Sequence, residues 1–562
     1  MIIDLGKATT DPLPVYDLCI VGSGPAGLTV ANELATSGLR ICVLESGQLK
    51  FTKHGDILRQ VKSEGIRIKD YSRERVLGGA STTWAGLASP LDPVDFQPRP
   101  FLNHSGWPIS RDELLPYYEK ATQDYGFASL KLFSPEGFSE VKAGNDRELK
   151  WTDLEEKTFL AAAKPQDFGR MFRSLFSQPG IDLYLDATLI RLESDDSAQR
   201  IARGVVCTST GSRVTVEAMV FMIATGGIEN ARILLNSRDG CPQGLGNEHD
   251  QVGRCFMNHP KDPHGLIHLN EPLHELPYYF GCLFQGYAGY GGIRLKESVQ
   301  AEKSCLNSYV RFEPLFPWSD NRGVESLIFL VKRSTLLFET WKARAKERIV
   351  SLRDYAETGD DTELQNDRKT WRDWLGLFGA IMVNFPMVLR YVLARLREGA
   401  HPAIHVIRMR NFMEMEPNPE NRVVLSDEQD VYGQPVPNVY HQTTALDRKS
   451  LITLHQILAA EVRSMGLGEL SSELDMGDPW PITYDASHHL GTTRMGTEPA
   501  TSVVTSDCRL HSVENVYMAG ASVFPTSGCA NPTFTIVALA IRLAEHLRTQ
   551  VFHLSKPSVK RW

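Results

Sequence analysis

The run Tyr16–Val21 (YDLCIV) is apolar at nearly every position, the pattern of a short strand buried on both faces of a parallel sheet. It stops at Gly22. A helix-forming stretch then extends to Ser37, with Gly38 as its stop, and a second apolar run, Ile41–Leu44, ends on Glu45. This is a strand–helix–strand unit. Ile181–Leu185 is predicted as a further strand. Ser110-x-x-Glu113 is a capping box that opens a helix, which Pro116 is expected to limit to one turn unless the helix kinks. Asn421–Leu425 and Val436–Tyr440, separated by DEQDVYG, are predicted as two strands. Near the end, Phe534–Leu547 is apolar on nearly every helical face and is expected to be a buried helix, opened by Pro532 at its first position with Asn531 as the cap.

The segment Trp374–Val392 (WLGLFGAIMVNFPMVLRYV) is apolar for most of its length and is flanked by Arg368, Lys369, Arg372, Arg395 and Arg397. Asn384 and Pro386 interrupt it, and it is too short for a membrane span. Three readings compete: a helix buried in the substrate domain or in an oligomer interface, a surface contact with a membrane or an entry for a greasy substrate, and, least favoured, a true span.

A length of 562 residues exceeds what one core supports, so two closely joined domains are expected. Sixty basic against 68 acidic residues give a net charge of −8, which disfavours nucleic acid as a partner. The nine cysteines are scattered and never spaced as CxxC, the usage of reduced thiols in a cytoplasmic protein without a zinc site or other metal. The N-terminal residues have neither the basic region nor the apolar core of a secretory signal.

Gly22-x-Gly24-x-x-Gly27 supplies candidate chemistry. The first glycine makes the tight turn, the second lets a pyrophosphate approach the backbone, and the third lets helix and strand pack closely. The helix N-terminus turns its partial positive charge to the phosphates. Glu45, 18 residues beyond Gly27, is placed to accept hydrogen bonds from ribose hydroxyls. No second such motif is available for a separate nicotinamide cofactor, and the position at the start of the chain favours FAD.

Several segments together resemble the glucose-methanol-choline (GMC) oxidoreductase family: 21–47, LGGASTTWAGLASPLDPVDF at 77–96, GWPISRDELLPYYEKA at 106–121, ATGGIENARILLNS at 224–237, DQVGRCFMNHP at 250–260, and the C-terminal HHLGTTRMG and GCANPTFTI. The C-terminal motifs are most similar to those of pyranose oxidases and bacterial sugar or polyol dehydrogenases, whereas 265–410 has little counterpart. The resemblance implies an α/β protein (α+β overall), with a Rossmann-type FAD-binding domain and a substrate domain on a mostly antiparallel sheet. The expected boundaries are 12–100, 181–260 and 482–550 for the first domain and 101–180 and 261–481 for the second. The strands around 421–440 are then expected in the sheet that roofs the active site.

The resemblance further implies oxidation of an alcohol, on a sugar, glycoside or similar small molecule, to a carbonyl. His488 is the expected base, and His489 a packing neighbour. Asn531 is expected to cap its helix with its carbonyl oxygen while its amide N–H groups orient the substrate oxygen. Gly78, Gly79, Ser81, Trp84, Thr188, Leu189, Ala224, Gly520, Ala521 and Thr533 are the further expected FAD contacts. Where some relatives bond the flavin through a histidine, this chain has Thr83, so FAD is expected to be held non-covalently. Oxygen, a quinone or a protein would take the electrons. Alternatives are a membrane-surface dehydrogenase of a lipid- or steroid-like alcohol, and a lyase that keeps FAD as a scaffold.

Overall fold

Tyr16–Val21 forms the expected strand at the centre of an eight-stranded sheet. To one side lie Ile41–Leu44, Ile181–Leu185 and Ile2–Asp4, all parallel to it. On the other side Arg213–Ile223 is also parallel and carries Val516–Met518 as a further parallel partner. Ile201–Cys207 and Thr188–Ser194 continue this edge as an antiparallel meander. Leu18, Cys19 and Ile20 are fully buried, as a strand covered on both faces requires. In this computed structural model residues 1–7, 11–162, 165–195, 199–333, 350–351, 371–397, 402–482 and 485–555 are described.

The helix after the first strand spans Pro25–Glu33, ending before Ser37. Three-residue turns replace it there, closed by the Ser37 hydroxyl donating to Leu34 O at 2.6 Å. The C-terminal helix, Thr533–His546, is buried as its composition requires and packs against the Pro25–Glu33 and Arg111–Asp124 helices.

The second large sheet has nine strands, all antiparallel at their pairings. Tyr309–Leu315 and Ile404–Phe412 lie side by side in it, and Leu154–Ala162 pairs with Tyr287–Leu295. An α/β nucleotide-type layer and a mostly antiparallel second sheet are thus both present, as expected.

Three local expectations need correction. Arg111–Asp124 runs for 14 residues straight through Pro116. Pro116 lies on the exposed face, where the carbonyl it leaves without a donor can be hydrated, while Leu114, Tyr118 and Ala121 anchor the buried face. The strands Arg422–Gln429 and Pro435–Tyr440 do form a hairpin, but it joins Lys62–Glu64 in a separate three-stranded sheet and does not enter the large antiparallel sheet. Arg232 holds the hairpin to the Gly227–Asn236 helix through Pro435 O at 2.8 Å and Asp430 at 2.7 Å.

The apolar 374–392 segment is not core. It forms two helices, Trp371–Val383 and Phe385–Arg397, bent by 78° at Asn384. Asn384 is clipped by Asn321 at 3.2 Å. Leu377 and Val388 are buried, whereas Met382, Val383 and Leu396 are 71%, 83% and 76% exposed. Among the described residues no single helix is long and apolar enough to cross a membrane. The expected basic flanks Arg368 and Lys369 lie outside the described residues.

Candidate active site

The sequence motifs converge on one cavity of about 740 Å³. Gly22, with φ +101°, turns the chain beneath Ala224: a Cβ there would meet Ala224 O at 2.5 Å. A Cβ on Gly27 would collide with the carbonyl of Gly22, so the helix can approach the strand only with glycine at that place. Gly24 differs, because a Cβ there would meet nothing within 4 Å. The same holds at Gly226 and Gly520, so all three glycines face open space.

Three helices begin at this cavity: Pro25–Glu33 after Gly24, Gly227–Asn236 after Gly226, and Thr533–His546 after Pro532. None has a side-chain cap. Their first N–H groups and positive dipole ends therefore lie toward the same space. Uncapped helix starts beside bare glycines suit a diphosphate and an electron-rich ring edge, so the residues present fit FAD.

Glu45 is 5% exposed and lines the cavity. Ser23 Oγ donates to it at 2.5 Å and Gly47 N at 2.8 Å, which fixes the carboxylate with lone pairs left for ribose hydroxyls. Burial raises its pKa against those hydrogen bonds. Gly79, Ser81, Trp84, Thr188, Leu189, Ala224, Ala521 and Thr533 also line the cavity. Ser81 and Trp84 have structural duties as well: Ser81 Oγ donates to Gly78 O at 2.6 Å, and Trp84 Nε1 donates to Gln166 O at 2.7 Å. Gly78 is not among the lining residues and packs instead on the backbone of Gly169. Thr83 donates its hydroxyl to Tyr71 O at 2.8 Å and presents no nucleophile.

His488 and Asn531 line the same cavity. Asn531 is not the helix cap expected from sequence: Pro532 occupies that position and no side chain caps the helix. The Asn531 amide makes no hydrogen bond among the described residues, so it is not divided between helix and ligand.

His488 has a partner that sequence reading did not single out. His259 Nδ1 lies 2.7 Å from His488 Nδ1, and His259 Nε2 lies 2.9 Å from Gly528 O and 3.3 Å from Ser527 O. Carbonyls only accept, so His259 carries its proton on Nε2 and its Nδ1 is the lone pair. His488 must then donate from Nδ1. Its Nε2 is left as an acceptor on a ring that lines the cavity, the form a general base requires. Burial, with His259, Lys261, His489 and Lys69 adding positive potential, holds the His488 pKa well below its ordinary 6.5. It is neutral at neutral pH.

His489 also lines the cavity, but it stacks on Phe256 at 6.0 Å between ring centres and its Nε2 lies 3.4 Å from Ser72 Oγ. Burial and then Arg73 lower its pKa to about 3. The intervening motif residues are braces. Thr492 Oγ1 donates to Gly227 O at 2.6 Å, and Thr493 Oγ1 donates to Ser522 Oγ at 2.7 Å. The Gly528 turn is held from behind by Glu414, which accepts from Gly528 N at 3.3 Å and pairs with both Arg99 amino groups at 2.7 and 2.6 Å.

Comparison with known proteins finds relatives along nearly the whole chain. Residues 417–540 match the profile described as GMC oxidoreductase, and 17–240 match that of FAD dependent oxidoreductase. The 6'''-hydroxyparomomycin C oxidase of Streptomyces lividus is 23% identical over 97% of this chain and 95% of its own. The fructose dehydrogenase large subunit of Gluconobacter japonicus is 22% identical over 94% and 97%. Pyridoxine 4-oxidase from Mesorbium loti shares the fold with a TM-score of 0.51 at 15% identity, over 94% of this chain and 99% of that one.

Proposed function

We propose that this chain, a member of the GMC oxidoreductase family, uses FAD to oxidise a secondary hydroxyl of a sugar, glycoside or related polyhydroxylated small molecule to a carbonyl. The hydrogen bond between His259 and His488 carries the reading, because it leaves Nε2 of a neutral, cavity-lining imidazole as proton acceptor. His488 Nε2 takes the hydroxyl proton. The positive charge this creates is shared along the Nδ1–H bond to His259, whose own N–H rests on Gly528 O. Asn531 donates its amide N–H to the substrate oxygen and fixes the carbinol carbon in place. FAD, held by the Gly22–Gly27 turn and Glu45, would supply the acceptor for the hydride. Thr83, engaged with Tyr71 O, supports non-covalent binding.

The parallel sheet with 12–100, 181–260 and 482–550 is taken as the FAD-binding domain, and 101–180 with 261–481 as the substrate domain. Oxygen, a quinone or a protein each completes the turnover chemically. The test is product analysis under anaerobic conditions. One equivalent of ketone per flavin reduced is expected from a polyhydroxylated donor, and flavin reduction without a new carbonyl would overturn the reading.

A second reading concerns location. The bent pair Trp371–Val383 and Phe385–Arg397 presents Phe378, Met382, Val383 and Phe385, more than half exposed, beside exposed Arg390 and Arg397. An apolar surface bordered by arginines suits the interface of an anionic membrane. The enzyme would then be cytoplasmic and membrane-associated. Co-sedimentation with anionic vesicles that is lost in Phe378→Glu/Val383→Glu supports this, and no binding by wild type would refute it.

A further inference from the structure

His259 Nε2 lies within reach of two carbonyls, Gly528 O at 2.9 Å and Ser527 O at 3.3 Å, and the turn that carries both is held at each of its residues. Thr526 Oγ1 donates to Asp95 O at 2.8 Å and accepts from Trp107 Nε1 at 2.9 Å. Ser527 Oγ accepts from Met415 N at 3.2 Å. Gly528 is left-handed, φ +55°, and a Cβ there would meet Asp95 Oδ2 at 2.6 Å and Leu91 Cδ2 at 2.7 Å. The turn thus rests directly on the segment that carries Asp95.

The remaining support is Glu414, which is fully buried. Its carboxylate accepts four N–H groups: both Arg99 amino groups, Asn307 N at 2.6 Å and Gly528 N at 3.3 Å. Four donors occupy the lone pairs of an ionised carboxylate, so the group has one orientation. Asn307 is tied to the same corner, its amide donating to Asp92 and Asp95 at 2.9 Å each. A buried ion pair of this kind gains little stability over apolar side chains of similar size, because desolvation offsets the attraction. Its use lies in what it fixes. The N–H of Gly528 and the C=O of Ser527 belong to one planar peptide and point opposite ways. Holding that N–H on Glu414 therefore turns the Ser527 carbonyl toward His259.

We propose that Glu414, clamped by Arg99, is a positioning residue for catalysis: by fixing the Ser527–Gly528 peptide it keeps two carbonyls on His259 Nε2, and through His259 it keeps the His488 proton on Nδ1. If those carbonyls moved away, His259 could carry its proton on Nδ1 and donate it to His488 Nδ1. The His488 proton would then sit on Nε2, and the base would be lost. This rests on the alcohol-oxidising reading of the cavity. It adds control of the base by a carboxylate that does not line the cavity.

The test reads the ring nitrogens directly, by nitrogen NMR of holoenzyme labelled at its histidine rings, with His259→Gln and His488→Gln assigning the signals. Wild type is expected to show His259 protonated on Nε2 and His488 on Nδ1. A wild-type proton on His259 Nδ1 would overturn the proposal without recourse to any variant. Arg99→Met/Glu414→Leu removes both charges together, so no unpaired ion is left in the core. It is expected to populate the reversed tautomers and to lower kcat by about 10-fold, with KM changed less than about twofold, at equal flavin content. Thr526→Val loosens the same turn while keeping the ion pair, and should shift the tautomers in the same direction by less. Wild-type tautomers in both variants would overturn the proposal. So would a fall in kcat without a tautomer change, which marks a purely structural role. Reversed tautomers with full kcat would support the positioning by Glu414 and count against His488 as the base.

Discussion

His259 and His488 face each other Nδ1 to Nδ1 at 2.7 Å, and the carbonyl of Gly528 decides which of them holds the proton. Because His259 Nε2 must donate to that carbonyl, His259 fixes His488 in the tautomer whose Nε2 can accept a proton. His259→Ala is expected to lower kcat by about 10-fold or more through loss of orientation, and His488→Ala by about 10²-fold or more through loss of the base. Both variants should keep their flavin. Steady-state kinetics with the flavin-to-protein ratio checks this.

The same pair sets a pH dependence. The base works when unprotonated, and its pKa lies well below 6.5 in the free enzyme. The acid limb of kcat/KM is therefore expected below pH 6.5, with a plateau through neutrality. Lys261 is one of the charges that depress the value, so Lys261→Gln should move the acid limb upward.

Asn531 separates a structural from a functional role. It does not cap the Thr533–His546 helix, so Asn531→Ala should change stability by only about 0.5 kcal/mol or less, below the usual effect of losing a cap. Activity should fall by about 10²-fold as the donor to the substrate oxygen is lost. Thermal unfolding beside kcat measures both.

The clamp glycines divide in the same way. Gly24→Ala adds a methyl where nothing lies within 4 Å, so the fold should persist while FAD affinity drops. Gly27→Ala puts a methyl against the carbonyl of Gly22 and should destabilise the apoprotein itself. Flavin retained after dialysis and the apoprotein melting temperature distinguish them.

Acid should unfold this protein early. Burial lowers the pKa of His441 to about 4 and of His455 and His489 to about 3, against 6.5 when unfolded. Below pH 6.5 the unfolded chain binds protons that the folded chain refuses, so stability present above that pH is lost as pH falls toward 4. Melting temperature against pH checks the slope, and His441→Gln should reduce it by about one proton.

How much of this was legible depended on whether a residue's role is local. Gly22 and Gly27 were readable because the backbone turn and the helix–strand approach demand glycine at that spacing. Gly78 lies outside the cavity lining, and a glycine that packs on Gly169 looks the same in sequence as one that admits a cofactor. Asn531 was assigned to the cavity correctly but to the cap wrongly, because an Asn-Pro pair signals a helix start without fixing it to one residue. His259 lies 229 residues from His488. Its one signal was its place in the segment 250–260, and pairing at that distance is made by the fold alone. The apolar interruption at Asn384 was visible, but its exposure depends on what packs around it.

The most direct test is anaerobic reduction of the bound flavin by a polyhydroxylated donor, wild type against His488→Ala, followed as loss of the visible flavin band. The account predicts rapid bleaching by wild type, slowed by about 10²-fold or more in the variant at equal flavin content. Equal bleaching rates in the two proteins would contradict it.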